Sequence, residues 1–173
     1  GETAPATKKH NFSARLDAFS KGISAGKQLC MDYLKENSSA PIPKIPIFDI
    51  NKNIQNGLTF QSYLLGCNNI INNFNCLAEE QKKLCLSMNL IDIPKSSYPN
   101  LSSYTEGFDD AIKAHTQEVI DSHDKGIKYD ESKTPRFDLN FILHLTPKEQ
   151  SYFLSYNYFL YKYNVLINNI ISN

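Results

Sequence analysis

The chain has 173 residues, with eighteen basic side chains against eighteen acidic ones and no formal net charge. A neutral chain has no long-range field to gather nucleic acid or an anionic membrane surface, which argues against a nucleic-acid-binding protein. The length suits one domain that buries about 70% of the surface its unfolded form would expose and needs no covalent staple.

The eighteen asparagines and ten tyrosines, with no tryptophan, suggest an AT-rich coding source and no particular chemistry. The sequons at Asn11, Asn37 and Asn100 are no more than so many Asn, Ser and Thr supply by chance, and carry no weight. The chain starts Gly1-Glu2-Thr3 with neither an initiator Met nor an apolar signal core, which is compatible with export without showing it.

In chain order, residues 1–11 are polar and predict a mobile N-terminal tail, leaving 12–173 as a single helical domain. From Phe12, the spacing of Leu16, Phe19, Ile23, Cys30 and Leu34 follows a helical period and predicts a first helix to about Lys35. Pro41, Pro43 and Pro46 each lack a backbone donor and push the preceding residue toward extended geometry, so 37–50 should cross the surface as a strap pinned by Ile42, Ile45, Ile47 and Phe48. A proline-recognition motif is the sharper alternative for this stretch. A second helix should run from Asn56 or Thr59 to Asn75, and a third from Leu77 to Asn89 with Leu84, Cys85 and Met88 inside and Glu79 to Lys83 outside. Together these two predict an antiparallel hairpin.

After the stretch bracketed by Pro94 and Pro99, Ser102 or Ser103 can cap a fourth helix that stops at Gly126. Residues 127–136 are charged and predict an exposed loop, whereas 137–145 place apolar residues at every second position and predict a short extended piece. Thr146, Pro147 and Glu149 form a helix start signal for the last segment, whose aromatic and aliphatic residues reach Ile171. Its interspersed Asn157, Lys162, Asn164, Asn168 and Asn169 argue for a core helix and against a membrane span. The expected fold is all-α: a single-domain bundle of about five helices around the aromatic C-terminal one.

Three helices share an aromatic-x-x-Gly pattern, at Phe19/Gly22/Gly26, Tyr63/Gly66 and Tyr104/Gly107. A mid-helix glycine costs about 0.5–1 kcal/mol relative to alanine, so the recurrence predicts close helix packing, with the C-terminal helix as the expected partner. The connectors between these patterns are unlike one another, which argues against solenoid repeats.

Chemistry-bearing motifs are sparse. His115, Glu118 and His123 are the densest cluster; positions 115 and 118 share a helix face, so the three are candidate metal ligands for a small metal protein or enzyme. His144 reads as a structural histidine, and neither a phosphate-binding glycine loop, a nucleophile elbow nor a His-Glu-x-x-His zinc motif occurs. Tyr98, Tyr104 and Tyr129 lie among polar residues and are candidate partner-contact side chains. Cys67 and Cys85 stand equally far from the presumed turn at Cys76, so a hairpin would pair Cys67 with Cys85 and leave Cys30 for Cys76, both bridges requiring an oxidising compartment. From these features the expected function is that of a non-enzymatic, exported (periplasmic or secreted) helical protein that binds another protein, such as an inhibitor, an immunity protein or a soluble secretion-system component. It requires no cofactor, and a cytoplasmic chain with reduced thiols is the alternative.

Overall fold

A computed structural model describes residues 12–93, 98–126 and 137–172. Among these, all regular structure is helical: α1 (Ser13–Glu36), a 3-10 helix (Asn51–Asn56), α2 (Leu58–Asn75), α3 (Glu79–Met88), α4 (Leu101–Asp124), a 3-10 turn (Ile142–His144) and α5 (Pro147–Ser172). The all-α bundle is therefore observed, with the aromatic C-terminal helix in it. The expected tail 1–11 and loop 127–136 lie outside the described residues. Residues 137–145 are not extended. Asp138 Oδ1 accepts the Asn140 N–H at 3.0 Å, and its carbonyl accepts from Phe141 at 3.1 Å, so the chain turns at once and enters the 3-10 turn.

Local chemistry sets the helix ends. Asn100 caps α4 by accepting the Ser103 N–H at 3.0 Å, two positions before the first of the serines expected to do so. Thr146 and Glu149 form the expected reciprocal box: Glu149 N–H bonds Thr146 Oγ1 and Thr146 N–H bonds Glu149 Oε1, each at 3.2 Å. Gly126 follows α4 with φ +66°, a left-handed value that a side chain resists.

The glycines bring the helices together in two pairs. A Cβ on Gly22 would stand 2.0 Å from the Tyr63 carbonyl oxygen, and one on Gly66 would stand 2.3 Å from that of Phe19. Gly26 meets Cys67 and Ile70, so the register rises together on both helices and α1 and α2 run parallel. In the other half, Gly107 faces the Tyr152 carbonyl oxygen at 2.0 Å, Phe108 meets Phe159 and His115 meets Tyr163, so α4 and α5 are parallel too. Only the Gly107 crossing uses the C-terminal helix; Gly22, Gly26 and Gly66 pack on one another. At the centre lies α2, with twelve of its eighteen residues buried, while the rings at positions 152, 153, 156, 158, 159, 161 and 163 on α5 remain half-buried.

Parallel neighbours need a return connection as long as a helix, and its backbone must find hydrogen bonds. The strap after α1 runs back along α2 and is fastened by side chains at intervals. Ile42 donates its N–H to Glu79 Oε1 at 2.8 Å. Ile45 exchanges two bonds with the Asn75 amide, both 2.9 Å, and Phe48 exchanges two with Asn68, both 2.8 Å. In the second half, Phe137 exchanges two bonds with the Asn157 amide in the same manner. A primary amide carries one acceptor and a two-hydrogen donor at the right separation to imitate a strand partner for one residue.

This likeness between halves extends to sequence. Phe48-Asp49-Ile50-Asn51 recurs 89 positions on as Phe137-Asp138-Leu139-Asn140, and Gln61, Tyr63 and Asn68 recur at the same offset as Gln150, Tyr152 and Asn157. Gln61 donates to the Ile54 carbonyl at 2.8 Å and Gln150 to that of Leu145 at 2.9 Å, each tying its helix to the turn before it. The two Phe-Asp-x-Asn segments also bind one another reciprocally. Asn140 Oδ1 accepts the Ile50 N–H (3.1 Å) while its Nδ2 donates to Asp49 Oδ1 (3.0 Å); Asn51 Oδ1 accepts the Leu139 N–H (3.0 Å) while its Nδ2 donates to Asp138 Oδ1 (2.7 Å). The described residues thus fall into two units, each a parallel helix pair with a Phe-Asp-x-Asn segment leading into its second helix, joined by the clasp of these reciprocal bonds. The unlike connectors of the glycine-bearing helices hid a longer period.

Helix α3 lies between the two units in chain order and does not form the expected hairpin with α2; it packs on α1. Glu79 is held to the strap, and the face it shares with Lys82, Cys85 and Leu86 turns inward. Lys82 is 4% exposed, with its ammonium 5.2 Å from the Phe74 ring centre. Leu84 and Met88, expected inside, face out.

Gly66→Ala should force α1 and α2 apart and destabilise by about 1–3 kcal/mol, lowering the melting temperature by roughly 2–4 °C per kcal/mol. Gly57→Ala, whose added Cβ would meet nothing within 4 Å but whose φ 95° and ψ 157° lie in a region essentially confined to glycine, should cost about 1–3 kcal/mol. Asn140→Ala removes an acceptor and a donor from the clasp and should cost about 1–3 kcal/mol. Combined with Asn51→Ala it should cost less than the sum of the single changes, as read by urea denaturation.

Candidate interaction surface

The structure does not assemble His115, Glu118 and His123. The His115 ring is 1% exposed, edge-on to Tyr163 at 4.8 Å, and its Nδ1 lies 3.8 Å from Glu118 Oε2. His123 is exposed beside Asp124, two helical turns or about 12 Å further along α4. Among the described residues, no three His, Cys, Asp or Glu side chains gather as a metal set. The pairing of 115 with 118 and the two-turn distance to 123 were legible from spacing on one helix; the burial of His115 was not.

The four cysteines are free thiols, which overturns both expected bridges and the argument for a periplasmic or secreted location built on them. The physical reason is the missing hairpin. Cys67 faces α1, where it meets Gly22 and Gly26, and Cys76 sits exposed at the end of α2. Cys30, Cys67 and Cys85 are buried. Burial pushes the Cys30 thiol up to about 12, with Cys67 and Cys85 nearby adding to the effect. Burial likewise pushes Cys67 up to about 11 against the lowering influence of a Tyr63 hydrogen bond. The Cys30 and Cys67 thiols are therefore protonated and shielded, the reverse of what a nucleophile needs.

Tyr104 is fully buried, its hydroxyl 2.9 Å from Ser62 Oγ across the join between the units, and is a core residue. Tyr98 is 44% exposed while its ring meets the edge of Phe19 at 6.0 Å; Tyr129 lies outside the described residues. Tyr152 donates to Asp110 Oδ2 at 2.5 Å, and burial, reinforced by that carboxylate, pushes its hydroxyl up to about 12. It is fixed as a donor and unavailable as a base.

What remains is apolar. Leu84 and Met88, one turn apart on α3, are each 56% exposed, and Leu90 beyond the helix is 52% exposed. Leu90 is fixed there because Asn89 adopts φ 51° and the Leu90 N–H closes on the Cys85 carbonyl at 3.0 Å. A ten-residue helix that hides a lysine while presenting a leucine and a methionine runs opposite to what solvent alone would select. Phe141 is more exposed, at 75%, but stands outside this group in the turn before α5. The amphipathic pattern of α3 was visible in the sequence, and the restraint at Glu79 that turns it was not.

No helix among the described residues is long and apolar enough to cross a membrane. Comparison with known proteins finds no matching family, no similar characterised protein and no similar solved structure.

In native protein at neutral pH, a thiol reagent should modify Cys76 rapidly and Cys30, Cys67 and Cys85 only on unfolding. Because burial holds the Cys30 and Cys67 thiols above the ordinary thiol range, at about 12 and about 11, their contribution to stability is complete below about pH 9 and is lost as pH rises toward 11–12, where the unfolded chain releases protons the folded one retains. Urea midpoints should therefore hold steady from pH 7 to about 8.5 and decline above 9, with a shallower alkaline decline in Cys30→Ala.

Proposed function

We propose that this chain is a non-enzymatic protein-binding protein that meets its partner through the outward face of α3. The observation that carries this reading is the exposure of Leu84, Met88 and Leu90 beside a buried Lys82. Isolated surface leucines are ordinary; an apolar strip held outward by hydrogen bonds at both ends of a short helix is the form of a contact surface. Glu79 fastens the first turn to the strap and the Leu90–Cys85 bond fixes the last, so the face is set before any partner arrives and little ordering cost attends association. The guarded state of the buried thiols and of Tyr152 supports a binding role over a catalytic one.

A photo-crosslinking residue at position 84 should yield a discrete protein adduct in cells of the source organism, whereas one at Lys113, exposed on α4, should not. Leu84→Glu with Met88→Glu should abolish partner retention while leaving the melting temperature within about 1–2 °C, since both side chains lie mainly in solvent. Equal adducts from both positions, or stoichiometric metal in the purified protein, would defeat the reading.

A further inference from the structure

We infer that the segment received by this surface is an acidic amphipathic one, with carboxylates on both sides of an apolar anchor. The inference rests on the reading of α3 as a contact face and adds to it the chemistry of the occupant. Where the end of α3 meets α1 there is a groove of about 260 Å³. Met31 and Ile91, 6% and 4% exposed, form its floor, and Leu90 stands at its edge. On α1, Lys27 precedes Met31 by four residues and Lys35 follows it by four, so an ammonium stands one helical turn to each side of the apolar floor. Among the described residues, no carboxylate lines the groove. Neither lysine is ion-paired among the described residues, whereas Lys21 and Lys52 each have an aspartate within 4.0 Å.

The spacing sets the complement. Lys27 and Lys35 are eight residues apart, about 12 Å along the helix. Carboxylates flanking an apolar side chain match that span at eight-residue separation in a helix or about four in an extended segment. The anchor enters over Met31 and Ile91, and the remainder continues along Leu90, Met88 and Leu84. Anionic lipid is the other surface that basic and apolar groups attract, but such recognition ordinarily uses clusters of about four to eight basic residues. Two lysines astride a groove on a chain of zero net charge suit a peptide better.

The test is selection of random linear peptides displayed against the immobilised full chain, with affinities of recovered peptides measured by fluorescence anisotropy. Expected are peptides carrying Asp or Glu on both sides of Leu, Ile, Phe or Met. Their affinity should fall at least about tenfold for Lys27→Glu with Lys35→Glu and for Leu84→Glu with Met88→Glu, and should weaken as ionic strength rises from about 0.05 to 0.3 M. Lys27→Gln with Lys35→Gln, closer in shape, guards against a folding defect and should fall in the same direction. Apolar peptides without acidic residues, lost on changing Leu84 and Met88 but indifferent to the lysines, would overturn the acidic occupant and leave the α3 reading standing. Recovery of no peptide above background, or binding to phosphatidylserine vesicles in place of peptides, would overturn the inference outright.

Discussion

Everything in this architecture follows from the decision to lay consecutive long helices parallel and in near contact. At Gly22 and Gly66 the two backbones approach until a single methyl group would collide with a carbonyl oxygen, and the Gly107 crossing repeats the arrangement. Close parallel packing forbids a short turn between the helices, so each pair needs a strap that travels the length of a helix. The strap lies on the protein and has no neighbouring strand, leaving its N–H and C=O groups to be satisfied by side chains. Asparagine is the smallest residue that can answer both groups of one peptide residue at once, which is why Asn68, Asn75 and Asn157 stand where they do.

The two units then meet through the same chemistry. Each Phe-Asp-x-Asn segment turns its asparagine to the backbone and aspartate of the other, and the Asn140 bond holds the Asp49 carboxyl below the usual carboxylate range. Deeper in the join, Asn69 and Gln150 exchange amide bonds at 2.7 and 3.1 Å, and Tyr104 meets Ser62. The join is a mixed one, in which buried amides fix the orientation of halves that aliphatic contact alone would leave free to slide.

Much of the fold was legible. The 3.6-residue period, the prolines of the strap, the box at Thr146 and Glu149 and the stop at Gly126 all describe local events, and local events are what a sequence states most directly. Direction was not legible, because an apolar stripe reads the same whether its neighbour runs parallel or antiparallel; the assumed hairpin and both cysteine bridges failed for that reason. The asparagines were in plain view and were ascribed to coding bias, although the pair of Phe-Asp-x-Asn segments at 48 and 137 was a signal that a search at longer period would have found. For α3, the stripe of Leu84 and Met88 predicted burial, and the structure leaves both exposed. The Glu79 bond to the Ile42 N–H and the Leu90 N–H bond to the Cys85 carbonyl are long-range and local restraints that the apolar pattern does not encode.

The clasp also has a consequence for how the halves hold together. Its hydrogen bonds join residues 87 to 91 positions apart, against 20 to 37 for the strap fastenings. Because closure entropy grows only with the logarithm of loop length, the longer reach costs about 1 kcal/mol more than the shortest fastening. Two separate chains meeting by the same reciprocal segments would forfeit translational freedom on every encounter, and at cellular concentrations they would part often. Carried on one chain, each segment faces its counterpart at an effective concentration on the order of millimolar, so a small, wet-edged set of amide bonds suffices where a free dimer would need a far larger apolar interface.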